Sequence, residues 1–117
     1  MPVSWIDYKG HKILYADYRG LKSEDLMLKN LEKEAEFYRN CQFKVLSLND
    51  YRDTFASKNF MSKITELGKE FKDRHLKSAV LGISGVKGIL LNGYASLTGQ
   101  PLRTFDDEVS AKEYLIK

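Results

Sequence analysis

The sequence predicts an α/β domain built on a mixed, mostly parallel β-sheet flanked by helices. Three observations carry that prediction. Ala79-Val80-Leu81-Gly82-Ile83-Ser84-Gly85-Val86-Lys87-Gly88-Ile89-Leu90-Leu91 starts as an unbroken apolar run, passes through a small-residue turn, and turns apolar again at helical length. A strand covered on both faces, feeding directly into a helix, produces that pattern. Further down the chain, apolar stripes at helical spacing alternate with short β-rich runs, as strand-helix-strand units require. Finally, two β-rich segments at the N-terminus stand only two residues apart, too close for a crossover, so they must form an antiparallel hairpin.

The hairpin is predicted over Val3 to Tyr8 and His11 to Tyr18, with Lys9-Gly10 as its turn. Ile13, Leu14, Tyr15 and Ala16 are apolar in succession, so both faces of the second strand should be covered. Ser23 is an N-cap with Glu24 and Asp25 behind it, where carboxylates favour the helix dipole. The helix it opens carries Leu28, Leu31, Ala35 and Tyr38 at helical spacing, with Met27 beside them. Glu32, Lys33, Glu34 and Glu36 are assigned to its outer face, and it should end near Arg39-Asn40. Phe43 to Leu48 reads as the next strand, stopped by Asn49-Asp50. Ser57 caps a second helix with the stripe Phe60, Ile64, Leu67, Gly68 and Phe71. Ser78 to Ile83 is the central strand, Val86 to about Leu97 a third helix, and Leu102 to Phe105 the last strand. Asp106 is assigned as cap of a final helix, with Asp107 and Glu108 in its first turn and Ala111 and Leu115 inward. The order is β-β-α-β-α-β-α-β-α.

At 117 residues the chain is read as one domain. A formal net charge of +3, with 19 basic and 16 acidic side chains interspersed, argues against a nucleic-acid partner. The local excess of Lys58, Lys63, Lys69, Lys72, Arg74 and Lys77 reads as a solvated helix face. A single cysteine, Cys41, rules out an internal disulfide and reads as a small buried residue. There is no signal region and no run of membrane-spanning length, so a cytoplasmic setting is expected. No cofactor is expected. No metal is expected either, because His11 and His75 are isolated and Asp17, Asp50 and Asp53 form a carboxylate set only where the fold gathers them.

In a parallel sheet, ligands collect at the carboxyl edge. That edge should carry Asp17 and Tyr18, Asn49 and Asp50, and the turn of Gly82, Ser84 and Gly85 after the central strand. Ser84, Gly85 and Lys87 sit where a helix start offers free N–H groups, and they are the candidate anion site. Gly-Ile-Ser-Gly-Val is neither a nucleophile elbow nor a phosphate loop, and no serine or cysteine has a readable base beside it, so an enzyme is not expected. Tyr15, Tyr18 and Tyr94 are candidates for the lining of a cavity.

The run from Ala79 to Ile89, Thr98-Gly99, Phe105-Asp106-Asp107 with Glu108, Ala111 and Leu115, and the N-terminal Ile13-Leu14-Tyr15-Ala16-Asp17-Tyr18-Arg19-Gly20-Leu21 together resemble the SpoIIAA-like (STAS-related) family of small bacterial proteins. The resemblance spans nearly the whole chain. It implies a mixed sheet flanked by helices and a regulatory protein–protein role, with a regulatory kinase as one partner. In the anti-sigma-factor antagonists of the wider superfamily, a serine at the start of the helix after the third strand is phosphorylated, within an Asp-Ser-Ser-Gly-like motif. Here residues 49–57 read Asn-Asp-Tyr-Arg-Asp-Thr-Phe-Ala-Ser, which lacks the motif; Thr54 and Ser57 are its positional counterparts. The family is also similar in fold to lipid-binding domains, which implies an alternative: a carrier of a small anionic or lipidic ligand. Apolar strands at the sheet edges make a homodimer a further expectation.

Overall fold

A computed structural model describes residues 2–83, 88 and 102–117. Five strands form one sheet in the order β1-β2-β3-β4-β5: β1 (Val3–Tyr8), β2 (His11–Asp17), β3 (Val45–Asp50), β4 (His75–Leu81) and β5 (Leu102–Phe105). β1 runs antiparallel to β2, and the remaining pairs are parallel. Lys9 and Gly10 both have positive φ, 50° and 83°, the tight turn whose twist suits a two-residue hairpin.

α1 (Glu24–Arg39) connects β2 to β3, and α2 (Lys58–Glu70) connects β3 to β4. Because these parallel strands follow one another in order, right-handed crossovers place both helices on the same face. Val3, Leu14, Ala16, Tyr18, Val45 and Val80 meet Met27, Leu31, Ala35, Tyr38, Phe60 and Leu67 there. α3 (Glu108–Leu115) covers the opposite face, setting Ala111 and Leu115 on Ile13, Leu48, Ala79 and Leu81. Successive residues of β2 alternate between the two cores, so its unbroken apolar run is explained by burial on both sides.

Several boundaries differ from the sequence expectation. β3 starts at Val45 and runs through Asn49 and Asp50. Phe43 lies outside it and is 51% exposed. Asn49-Asp50 does not stop the strand because both side chains find partners inside the fold. β4 begins three residues early, after a 3₁₀ turn at Lys72–Arg74. The cap of α3 is Asp107, one residue later than expected: its Oδ1 accepts from Ser110 N at 2.8 Å and its Oδ2 from Ser110 Oγ at 2.8 Å. Glu34 is also misassigned to the outer face, since only 6% of it is exposed. The helix expected over 86–97 lies outside the described residues, apart from helical Gly88.

Candidate functional site

Two polar systems lie on opposite sides of the sheet. On the α3 side, at the carboxyl edge, the fold gathers Asp17 and Asp50 as the sequence reading expected. Asp50 closes β3 and is fully buried. Arg52 returns over it, donating from Nε to Oδ1 at 2.9 Å and from Nη2 to Oδ2 at 2.6 Å, while Tyr15 donates its hydroxyl proton to Oδ2 at 2.9 Å. Arg19 clamps Asp17 with two bonds of 2.9 Å and lies 3.5 Å from Asp50 Oδ2. Arg52 also reaches Glu108 at 3.5 Å, and Lys112 holds Glu108 at 2.8 Å. Burial by itself would raise the Asp50 carboxyl, but the Arg52 and Tyr15 hydrogen bonds outweigh it and hold the group below the usual range. The Arg19 guanidinium does the same for Asp17. Burial and the Asp50 carboxylate push the Tyr15 hydroxyl well above its ordinary range.

This network balances itself. Each carboxylate has a cation in direct contact, so neither is poised as a base or a metal ligand. Asp53 turns away to Lys22, 2.7 Å distant. Among the described residues, no three metal-ligating side chains converge.

The second system lies under α1 and α2. Glu34 on α1 accepts the Tyr18 hydroxyl at 2.7 Å and the Asn49 carboxamide N–H at 3.4 Å. Burial raises this carboxyl to about 7, although both hydrogen bonds pull it down. Asn49 also donates to Tyr51 Oη at 3.3 Å, and its own Oδ1 is buried with no hydrogen bond. Next to it, between α2 and the carboxyl half of β3 and β4, is a cavity of about 50 Å³. Its apolar wall includes Phe55, Phe60, Met61, Ile64, Val80 and Ile83, and its polar wall is Asn49, Tyr51 and Ser78. Ser78 shares a 2.8 Å hydroxyl–hydroxyl bond with Ser47.

The other sequence candidates fall as follows. Ser57 caps α2, accepting from Phe60 N at 3.1 Å, with the Glu24 carboxylate as a further hydrogen-bond partner that is itself held low by the contact. Thr54 Oγ1 donates to the Leu21 carbonyl. Ser84, Gly85, Lys87 and Tyr94 lie outside the described residues. Tyr15 and Tyr18 occupy opposite faces of the sheet and so cannot line one cavity. Cys41 is buried, as expected. Sequence reasoning placed Asn49 at the carboxyl edge but missed Glu34. The signal for Glu34 was present: Met27, Leu31, Glu34, Ala35 and Tyr38 share one helical stripe.

No family model matches the chain. Over 102 aligned residues it is 30% identical to a glutamyl-tRNA(Gln) amidotransferase subunit of Methanococcus maripaludis (strain C7 / ATCC BAA-1331), an alignment that takes in 80% of this chain. The chain spans only 15% of the length of that relative. An uncharacterized protein of the DUF3478 family with a SpoIIAA-like fold, from Shewanella loihica PV-4, superposes with a TM-score of 0.74. The superposition covers 97% of this chain and 91% of that one, at 15% identity. The chain has a SpoIIAA-like fold. No helix among the described residues is long and apolar enough to cross a membrane.

Proposed function

We propose that this SpoIIAA-like chain is a non-enzymatic binding domain whose site is the cavity between α2 and the carboxyl half of the sheet. One observation carries the reading: an apolar-walled cavity abuts a buried, unpartnered carboxamide oxygen on Asn49. A concave apolar surface with a few converging polar groups is the usual form of a small-molecule site. The non-enzymatic part rests on the carboxyl edge, where Asp17, Asp50 and Glu108 are each neutralised by a cation in contact. The match to 15% of an amidotransferase subunit is too small a share to carry that protein's activity across. Native mass spectrometry of protein purified from its own cells tests the reading. A small molecule should co-purify and be lost on partial unfolding. An unliganded protein whose Ile64 and Val80 amides ignore every small apolar probe would sink it.

A second reading, regulatory binding of a partner protein, is favoured by one surface feature. Phe43 lies half-exposed over Trp5, ring centroids 5.7 Å apart, and Lys12 sits 4.7 Å above the indole. Exposed aromatics beside a cation are typical anchors at interfaces. Incubation with a candidate regulatory kinase and ATP examines its switch version. Absence of phosphate from both Ser57 and Thr54, together with no complex, would eliminate that version.

A further inference from the structure

Asn49 and Ile64 line not only the cavity beside α2 but also a second one of about 30 Å³, whose walls include Glu34, Tyr38 and His75. Where the two meet, most of the polar groups have partners inside the fold. The Tyr18 O–H is directed to Glu34, and the Asn49 N–H groups to Glu34 and Tyr51. The Ser47 and Ser78 hydroxyls face each other. His75 Nδ1 lies 3.0 Å from the Phe71 carbonyl, which can only accept, so Nδ1 carries the proton and burial keeps the ring neutral. Its Nε2 is then one more acceptor. The Tyr38 and Tyr51 hydroxyls carry protons of their own, so the demand for a donor rests on one atom: Asn49 Oδ1, buried and without a hydrogen bond among the described residues. Leaving such a group buried without a hydrogen bond costs free energy that a bound donor would recover.

We propose that the cavity takes a small apolar molecule ending in a hydrogen-bond donor, a hydroxyl or a primary ammonium, with the donor on Asn49 Oδ1 beside the Glu34 carboxyl. A carboxylate head is disfavoured, since it would set its own lone pairs against those of Asn49 Oδ1. This inference rests on the cavity being the binding site. The apolar part is short: a cavity of roughly 150 Å³ admits benzene, whereas this one measures about 50 Å³.

Amide chemical-shift titrations of the whole chain with 1-butanol, butylammonium and butyrate test the assignment. The donor-bearing probes should move the Asn49, Ile64 and Val80 amides and bind about tenfold or more tighter than butyrate. The preference should vanish in Asn49→Leu. Glu34→Gln, which keeps its shape, separates the two heads. Ammonium binding that drops about tenfold while butanol is unaffected assigns a cation. Unchanged binding of both assigns a neutral hydroxyl. Butyrate binding as tightly as the other two overturns the donor assignment and leaves the apolar cavity as the site. No movement of those amides with any probe overturns both.

Discussion

At the scale of single residues, the two buried carboxyls are held in opposite ways. Asp50 has guanidinium partners and remains ionised; Glu34 has only neutral partners and gains its proton near neutrality. For Glu34 the folded value, about 7, lies above the usual 4.5. The native state therefore binds the proton more tightly, and the associated stability is complete at low pH and lost as pH rises from about 4.5 to about 7. A rise of that size corresponds to about 3 kcal/mol between the protonation states. Glu34→Gln cannot ionise, so its stability relative to wild type should improve by about that amount between about pH 4 and about pH 8. Urea unfolding at the two pH values measures it, and a constant difference would contradict the burial argument. Asp17 and Asp50 act the other way: held low, they stabilise above the ordinary carboxylate range and lose that contribution as pH falls through their folded values.

At the scale of elements, the ends of β3 and β4 are joined backbone to backbone. Tyr51 N donates to the Leu81 carbonyl at 2.9 Å, and the following residue, Gly82, turns at φ +83°. A Cβ at Gly82 would stand 2.4 Å from Arg52 N and 2.6 Å from the Tyr51 carbonyl carbon, against rigid backbone. Gly82→Ala should thus cost more than about 3 kcal/mol and shift the Arg52 clamp on Asp50. Gly10→Ala, with the same φ but nothing within 4 Å, should cost only about 1 kcal/mol. Thermal melts of both variants give the comparison, and similar losses would mean the close approach is unimportant. Elements of this kind were largely legible in the chain. Gly10, Ser23 and Ser57 act locally, through backbone freedom or a hydroxyl within reach of the next turn, so local sequence suffices to place them. The end of β3 was not legible, because Asn49 and Asp50 resemble strand breakers until Glu34, Tyr15 and Arg52 arrive from other elements.

At the scale of the whole molecule, the two faces of the sheet carry different helices among the described residues. α1 and α2 build one core, while α3, an eight-residue helix, brings Ala111 and Leu115 to the other. Leu115 is 1% exposed on Ile13, Leu48, Ala79 and Leu81. Leu115→Ala should therefore cost about 2–5 kcal/mol, a transfer loss plus the cavity left behind. Denaturant titration measures it, and a loss below about 1 kcal/mol would mean that α3 is not part of the cooperative core.

The sequence by itself determined the hairpin, the first two helices with their Ser23 and Ser57 caps, and the mixed, mostly parallel sheet, because periodicity, turn residues and capping act over a few positions. Only the tertiary structure decided what the polar residues do. It paired Asp50 with Arg52 and Arg19, buried Glu34 against Tyr18, and left Asn49 Oδ1 beside an apolar cavity. The partners of a buried polar group come from elsewhere in the chain, and its chemistry depends on burial that no local pattern encodes.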